Sequence, residues 1–156
     1  MAVIGTRNSP IVPTVETPPV HNSGYHPSVL VVDDEPVVAD TIAKILSVSG
    51  YNAITAYDGD DALEAALLRP PELVITDVML PGMNGIELAI TIQRVYPECK
   101  ILLFSGRATA SDLLASAYRA GHRFTLLNKP MPPEYLLAIV AEHLKTNEST
   151  QVAAMN

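Results

Sequence analysis

Asp33, Asp34, Asp77, Ser105 and Lys129 stand out because each closely follows a short apolar run. Asp33-Asp34 follow Val29-Leu30-Val31-Val32, and Asp77 follows Leu73-Val74-Ile75-Thr76. Ser105 follows Ile101-Leu102-Leu103-Phe104, and Lys129 follows Phe124 to Leu127 with Asn128 between. Each charged residue type is about 6% of an average protein, so three Asp and one Lys at such ends is a coincidence on the order of 1 in 10⁵. Singly, these residues have plainer roles: Asp33-Asp34 as helix caps, Asp77 as a turn residue, Ser105 as an N-cap, Lys129 as a loop charge. Those roles leave the shared placement unexplained. Three carboxylates in one cleft repel one another and call for a cation. An all-oxygen donor set favours Mg²⁺, Mn²⁺ or Ca²⁺ over zinc, and a shallow site with few direct carboxylates suits Mg²⁺ best. Mg²⁺, a lysine, a hydroxyl and a carboxylate together are the equipment of phosphoryl transfer, with Asp77, the central acid, as a nucleophile that forms an acyl phosphate.

That chemistry requires the runs to be neighbouring strands. From Ser28 onward, short apolar runs alternate with helical stretches, the pattern of strand-helix units on a parallel sheet. Predicted strands lie at 29–32, 51–56, 73–76, 101–104 and 124–127. Predicted helices lie at 35–49, 60–68, from the Gly85 region to Tyr96, at 109–120 and at 133–145. Gly50 and Gly121 read as helix stops, Asp58-Gly59 as a turn, and Val38, Ile42, Ile45 and Leu46 as the inner side of the first helix. The expected fold is a doubly wound α/β (βα)5 sandwich of the flavodoxin-like type, with strand order 2-1-3-4-5. Ligands in such sheets bind at the carboxyl ends of the strands, beside the switch point between strands 1 and 3. All five residues fall there.

Composition is compatible. The 156 residues are 48% hydrophobic and 17% charged with a mean hydropathy of +0.22, enough for one well-buried domain and unlike a disordered chain. Five of the thirteen prolines fall in residues 1–27, expected to be a disordered Pro-rich arm. The domain is expected to span 28–146, with 147–156 a flexible tail. No apolar run is long enough to cross a bilayer, and the single Cys99 excludes an internal disulfide, so a cytoplasmic setting without membrane insertion is expected. A net charge of −7 is the wrong sign for tracking phosphate backbones, so direct nucleic-acid binding is not expected. The four His have no metal-pair spacing.

The same residues resemble the receiver domains of two-component response regulators. The matching pieces are Val31-Val32-Asp33-Asp34-Glu35-Pro36, Val74 through Gly85, Phe104-Ser105-Gly106 and Lys129-Pro130, within about Ser28 to Lys145. The resemblance implies that Asp77 is the phospho-acceptor, and that Asp33, Asp34, Asp77 and the Met79 carbonyl hold Mg²⁺. It also implies that Ser105 and Lys129 bind the phosphoryl oxygens. The donor would be a histidine kinase or a histidine phosphotransfer protein. Met79 and Arg107 would flank the path of attacking water, which implies slow self-hydrolysis. With about eleven residues after Lys145, a stand-alone receiver is expected, signalling through an unknown downstream protein. Residues 105–156 hold five bases against four acids, and Arg107, Tyr118 and Arg123 are the expected contact surface.

One departure concerns the switch. Receivers usually carry Tyr or Phe three residues before the lysine; here that residue is Leu126, and the nearest aromatic is Phe124, of the same strand parity. The expected switch runs through Ser105 and the loop after it, with Leu126 filling the slot. Three rival functions are weaker. An aspartate-nucleophile phosphohydrolase needs an acid where Met79 stands, and a cap domain. A flavin mononucleotide module needs a phosphate cradle where Asp33-Asp34-Glu35 stand. A binding module acting without phosphorylation has no use for the full acid set.

Overall fold

A computed structural model of the chain describes residues 24–106 and 110–154. Five strands and five helices alternate: β1 Ser28–Val32, α1 Pro36–Val48, β2 Asn52–Ala56, α2 Gly59–Leu68, β3 Leu73–Asp77, α3 Gly85–Val95, β4 Lys100–Ser105, α4 Ala110–Arg119, β5 Thr125–Asn128 and α5 Pro133–Ala154. The sheet is parallel in the order β2-β1-β3-β4-β5, the order anticipated. β1, β3 and β4 lie inside the sheet with helices on both faces, which is why they read as unbroken apolar runs.

Two apolar layers sandwich the sheet. One joins Leu30, Val32, Val74 and Leu103 to Ala62 and Ala66 of α2, Leu88 and Ile92 of α3, and Ala117 of α4. The other joins Val29, Val31, Ile75 and Leu102 to Ala39, Ala43 and Leu46 of α1 and Leu136, Val140 and Leu144 of α5. α1 therefore buries two alanines and Leu46, whereas Val38 and Ile45 of the expected inner side are only half-buried. Small side chains let the helix sit close to the strands. Cys99 lies in the first layer, and burial pushes its thiol up to about 12, an inert group. Gly50 and Gly121 stop α1 and α4 in left-handed conformations, φ 97° and 93°.

Three boundaries differ from expectation. β5 begins at Thr125 and ends at Asn128, because the ladder pairs Leu102 with Thr125 and Ser105 with Asn128, leaving Phe124 outside the strand. α5 continues past Lys145 to Ala154, over part of the expected flexible tail, since Thr146 to Ala154 contains neither Gly nor Pro. The expected arm reaches residue 27, yet its last residues are tied down. Pro27 is buried and its carbonyl accepts from Asn52 N–H at 2.9 Å. The His26 Nδ1 lies 2.8 Å from the Gly50 carbonyl, and the Tyr25 hydroxyl donates to Glu72. The rest of the arm, residues 1–23, lies outside the described residues.

Candidate functional site

Strand ends deliver the acids. Asp33 sits one residue past β1 and is buried, with 2% of its surface exposed. It remains a satisfied carboxylate: Oδ1 accepts the Glu35 N–H at 2.9 Å and Oδ2 accepts Lys129 Nζ at 2.7 Å. Asp77 closes β3; its Oδ1 accepts the Met79 N–H at 3.1 Å and its Oδ2 accepts Lys129 Nζ at 3.0 Å. Asp34 is exposed beside them, and all three aspartates offer a carboxylate oxygen within 4.8 Å of one another. Lys129 arrives from the end of β5, past a cis Lys129–Pro130 peptide, and its N–H bonds to the Ser105 carbonyl at 3.0 Å. Ser105 is buried at the end of β4.

The ammonium of Lys129 thus bridges two of the three acids. Burial, the largest single influence, lowers its pKa; the hydrogen bonds and charges of Asp33 and Asp77 together outweigh it and hold it above its ordinary value. A raised pKa in the folded state means that the pair's stabilisation is complete below the unfolded value of 10.5 and disappears as pH climbs past the folded one. The difference in urea midpoint between the wild type and Lys129→Gln should accordingly hold steady from pH 8 to 10 and shrink above 10.5. A difference that grows there contradicts the paired ammonium.

The donor set fits a hard divalent cation. All three acids contribute oxygens, and no His or thiol joins them among the described residues. The close acids with a single bridging lysine leave a net negative pocket, as a cation requires.

Two glycines that read only as loop and turn signals in the sequence stand at close backbone approaches around the stretch between β3 and α3. A Cβ on Gly85 would lie 2.0 Å from the Asp77 carbonyl oxygen, so α3 starts in direct contact with the acceptor's backbone. Gly59, at the start of α2, makes a second, less extreme approach, where a Cβ would lie 2.8 Å from the Met83 carbonyl oxygen. The dipeptide Asn84-Gly85 before an apolar helix was the available signal. Asn84 caps α3, accepting from Ile86 and Glu87 N–H while Glu87 returns a bond to the Asn84 N–H.

The switch region differs from expectation. Leu126 keeps 37% of its surface exposed and does not fill a buried slot. β5 is an edge strand, and Leu126 joins neither apolar layer. Phe124 is half-buried against the α2–α3–α4 layer and stacks on His122 with centroids 6.2 Å apart. Tyr118 is exposed, with the Arg123 guanidinium 5.4 Å from its ring centroid, so two of the three expected contact residues stand together. Arg107 lies outside the described residues.

Comparison with known proteins points one way. The family model for the response regulator receiver domain matches residues 29–141. The nitrogen assimilation regulatory protein NtrX of Azorhizobium caulinodans is 35% identical over 76% of this chain and 26% of its own length. The probable transcriptional regulatory protein TcrX of Mycobacterium tuberculosis is 33% identical over 83% of this chain and 54% of its own. This chain thus spans about a quarter to a half of the curated relatives it matches. Among solved structures, a CheY-like receiver domain protein from Methanospirillum hungatei superposes with a TM-score of 0.73 at 26% identity, covering 81% of this chain and 99% of that one. The receiver domain of an HD domain-containing protein from Pseudomonas fluorescens gives 0.73 at 30% identity, covering 80% and 99%. The relative MtrA of Mycolicibacterium smegmatis is a DNA-binding response regulator, so the exclusion of nucleic acid drawn from net charge has no support among the relatives.

Proposed function

The chain belongs to the response regulator receiver domains of two-component signalling, and from that premise we infer that it accepts a phosphoryl group on Asp77 from a phosphohistidine and relays the state by protein contact. The observation that carries this reading is the Lys129 bridge between Asp33 and Asp77, which poises a cation and two acids where a phosphoryl group would be received. In the transfer, an Asp77 carboxylate oxygen bonds to phosphorus while the P–N bond of the donor breaks. The bonding pair stays on the imidazole nitrogen, which is reprotonated. Lys129 would exchange its Asp77 contact for a phosphoryl oxygen, and the Ser105 hydroxyl would accompany it. Asp33, Asp34, Asp77 and the Met79 carbonyl would hold Mg²⁺. Bound there, the ion neutralises charge between the acids and the incoming phosphoryl group.

The donor is a histidine kinase or histidine phosphotransfer protein, and the domain acts in the cytoplasm; the described residues include no helix long and apolar enough to cross a membrane. The downstream partner meets the Tyr118–Arg123 surface. The domain is a phospho-acceptor rather than a classical enzyme, and the exposed Met79 beside Asp77 favours slow self-dephosphorylation.

Incubation with a small phosphodonor and Mg²⁺ should add one phosphoryl group to the intact mass. Excess chelator should cut that uptake by about 100-fold or more, since a bound metal supplies several kcal/mol of charge neutralisation. Full uptake in chelator would refute the metal role, and no uptake with metal would refute the acceptor. The same mass series, followed after donor removal, reads self-dephosphorylation; decay within seconds would rule out the slow form.

A further inference from the structure

Gly59 is the first residue of α2, whose cap is Asp58, accepting from the Asp61 N–H at 2.7 Å. Its φ lies outside the left-handed region, so the backbone there does not require glycine. Space does. A Cβ on Gly59 would stand 2.8 Å from the Met83 carbonyl oxygen and 2.9 Å from the Met83 Cβ, closer than any ordinary contact.

Met83 belongs to the seven-residue stretch 78–84 between β3 and α3, the stretch that also carries Met79. Both ends of it are pinned. Val78 N–H bonds to the Phe104 carbonyl and Gly85 N–H to the Val78 carbonyl, each at 2.9 Å. α2 is seated as well, through Ala62 and Ala66, both at 0% exposure. Leu80 in the middle of the stretch is buried in the same layer as α2, so a push at the Gly59–Met83 contact is taken up by the exposed Pro81 and Gly82 and reaches Met79 by turning the chain about Leu80.

We propose that Gly59, outside the acid pocket, is a positioning residue for it: its missing side chain lets α2 brace Met83 and so sets where the Met79 carbonyl stands. This rests on the reading of the pocket as a divalent-cation site. The consequence is selective, because Mg²⁺ demands near-ideal octahedral oxygens at 2.0–2.1 Å whereas Ca²⁺ accepts six to eight at longer, looser distances. A displaced carbonyl costs Mg²⁺ more than Ca²⁺.

The test is calorimetric titration of the full chain with MgCl₂ and, separately, CaCl₂, in wild type and Gly59→Ala, with a thermal melt of each apo protein. Gly59→Ala should weaken Mg²⁺ binding by about 10-fold, the usual scale for residues that orient metal ligands, and Ca²⁺ binding by about 2-fold or less. A merely structural role would loosen both equally. An unchanged ratio of the two affinities, whether both persist or both fall, overturns the proposal. Wild type that binds neither ion overturns the reading of the pocket itself, a separate result. Should Gly59→Ala not fold, Met83→Gly removes the brace from the other side and must lower the same ratio; an unchanged ratio there is equally fatal.

Discussion

Asp77→Asn is expected to take up no phosphoryl group from any donor while keeping its fold. The amide is nearly isosteric, but its one oxygen can replace only one of the two carboxylate oxygens, which accept from the Met79 N–H and from Lys129, and its NH2 group faces the other donor. Two electrostatic changes oppose each other. Removing a charge beside Asp33 and Asp34 relieves repulsion, whereas Lys129 loses half of its paired charge. The net change in unfolding free energy should stay within about 1 kcal/mol. Intact mass after phosphodonor treatment checks the first part and a urea titration the second. A single added phosphoryl group on the variant would sink Asp77 as acceptor.

Gly85→Ala should produce the largest loss of stability of any single methyl in the domain. Its added carbon would sit 2.0 Å from the Asp77 carbonyl oxygen, 2.9 Å from the Asp77 carbonyl carbon and 3.0 Å from the Val78 Cα, all backbone atoms without rotamers to escape into. Either α3 or the end of β3 must shift by about an ångström or more, with a cost of roughly 3 kcal/mol or above. For a domain of this size that lowers the melting temperature by roughly 10 °C. Gly82→Ala is the natural control: φ there is 73° but nothing lies within 4 Å, so strain alone costs it about 1 kcal/mol. If Gly82→Ala melts as low as Gly85→Ala, close approach is not what holds α3 to the acceptor.

Both substitutions show which parts of the site were legible beforehand. The strands could be read because burial on both faces leaves an uninterrupted apolar run, and polar residues at their carboxyl ends had one plausible place to meet. Asp33, Asp77 and Lys129 meet there, 96 residues separating the first and last. Backbone pairing was not legible. Asn128 is polar and exposed yet joins the ladder opposite Ser105, which moved β5 by a residue and released Phe124 from it. Leu126 looked like a filler because leucine usually fills; its exposure on the edge strand depends on what packs over it, which no local pattern carries. Contacts such as Gly59 with Met83 or Tyr25 with Glu72 have no local pattern at all, since each depends on two elements packing first.

The anchored stretch Tyr25–Pro27 also gives the molecule a mechanical axis. β1 leaves it and runs roughly 16 Å to the acid pocket at five residues of about 3.3 Å each, hydrogen-bonded to β2 on one side and β3 on the other. A pull applied ahead of Gly24 draws on this interior strand along its own length, so both ladders are loaded in shear at once instead of being peeled bond by bond. The grip on Gly50, Asn52 and Glu72 takes that load first. The acceptor stands at the far pole, shielded from the tension until the anchor gives way.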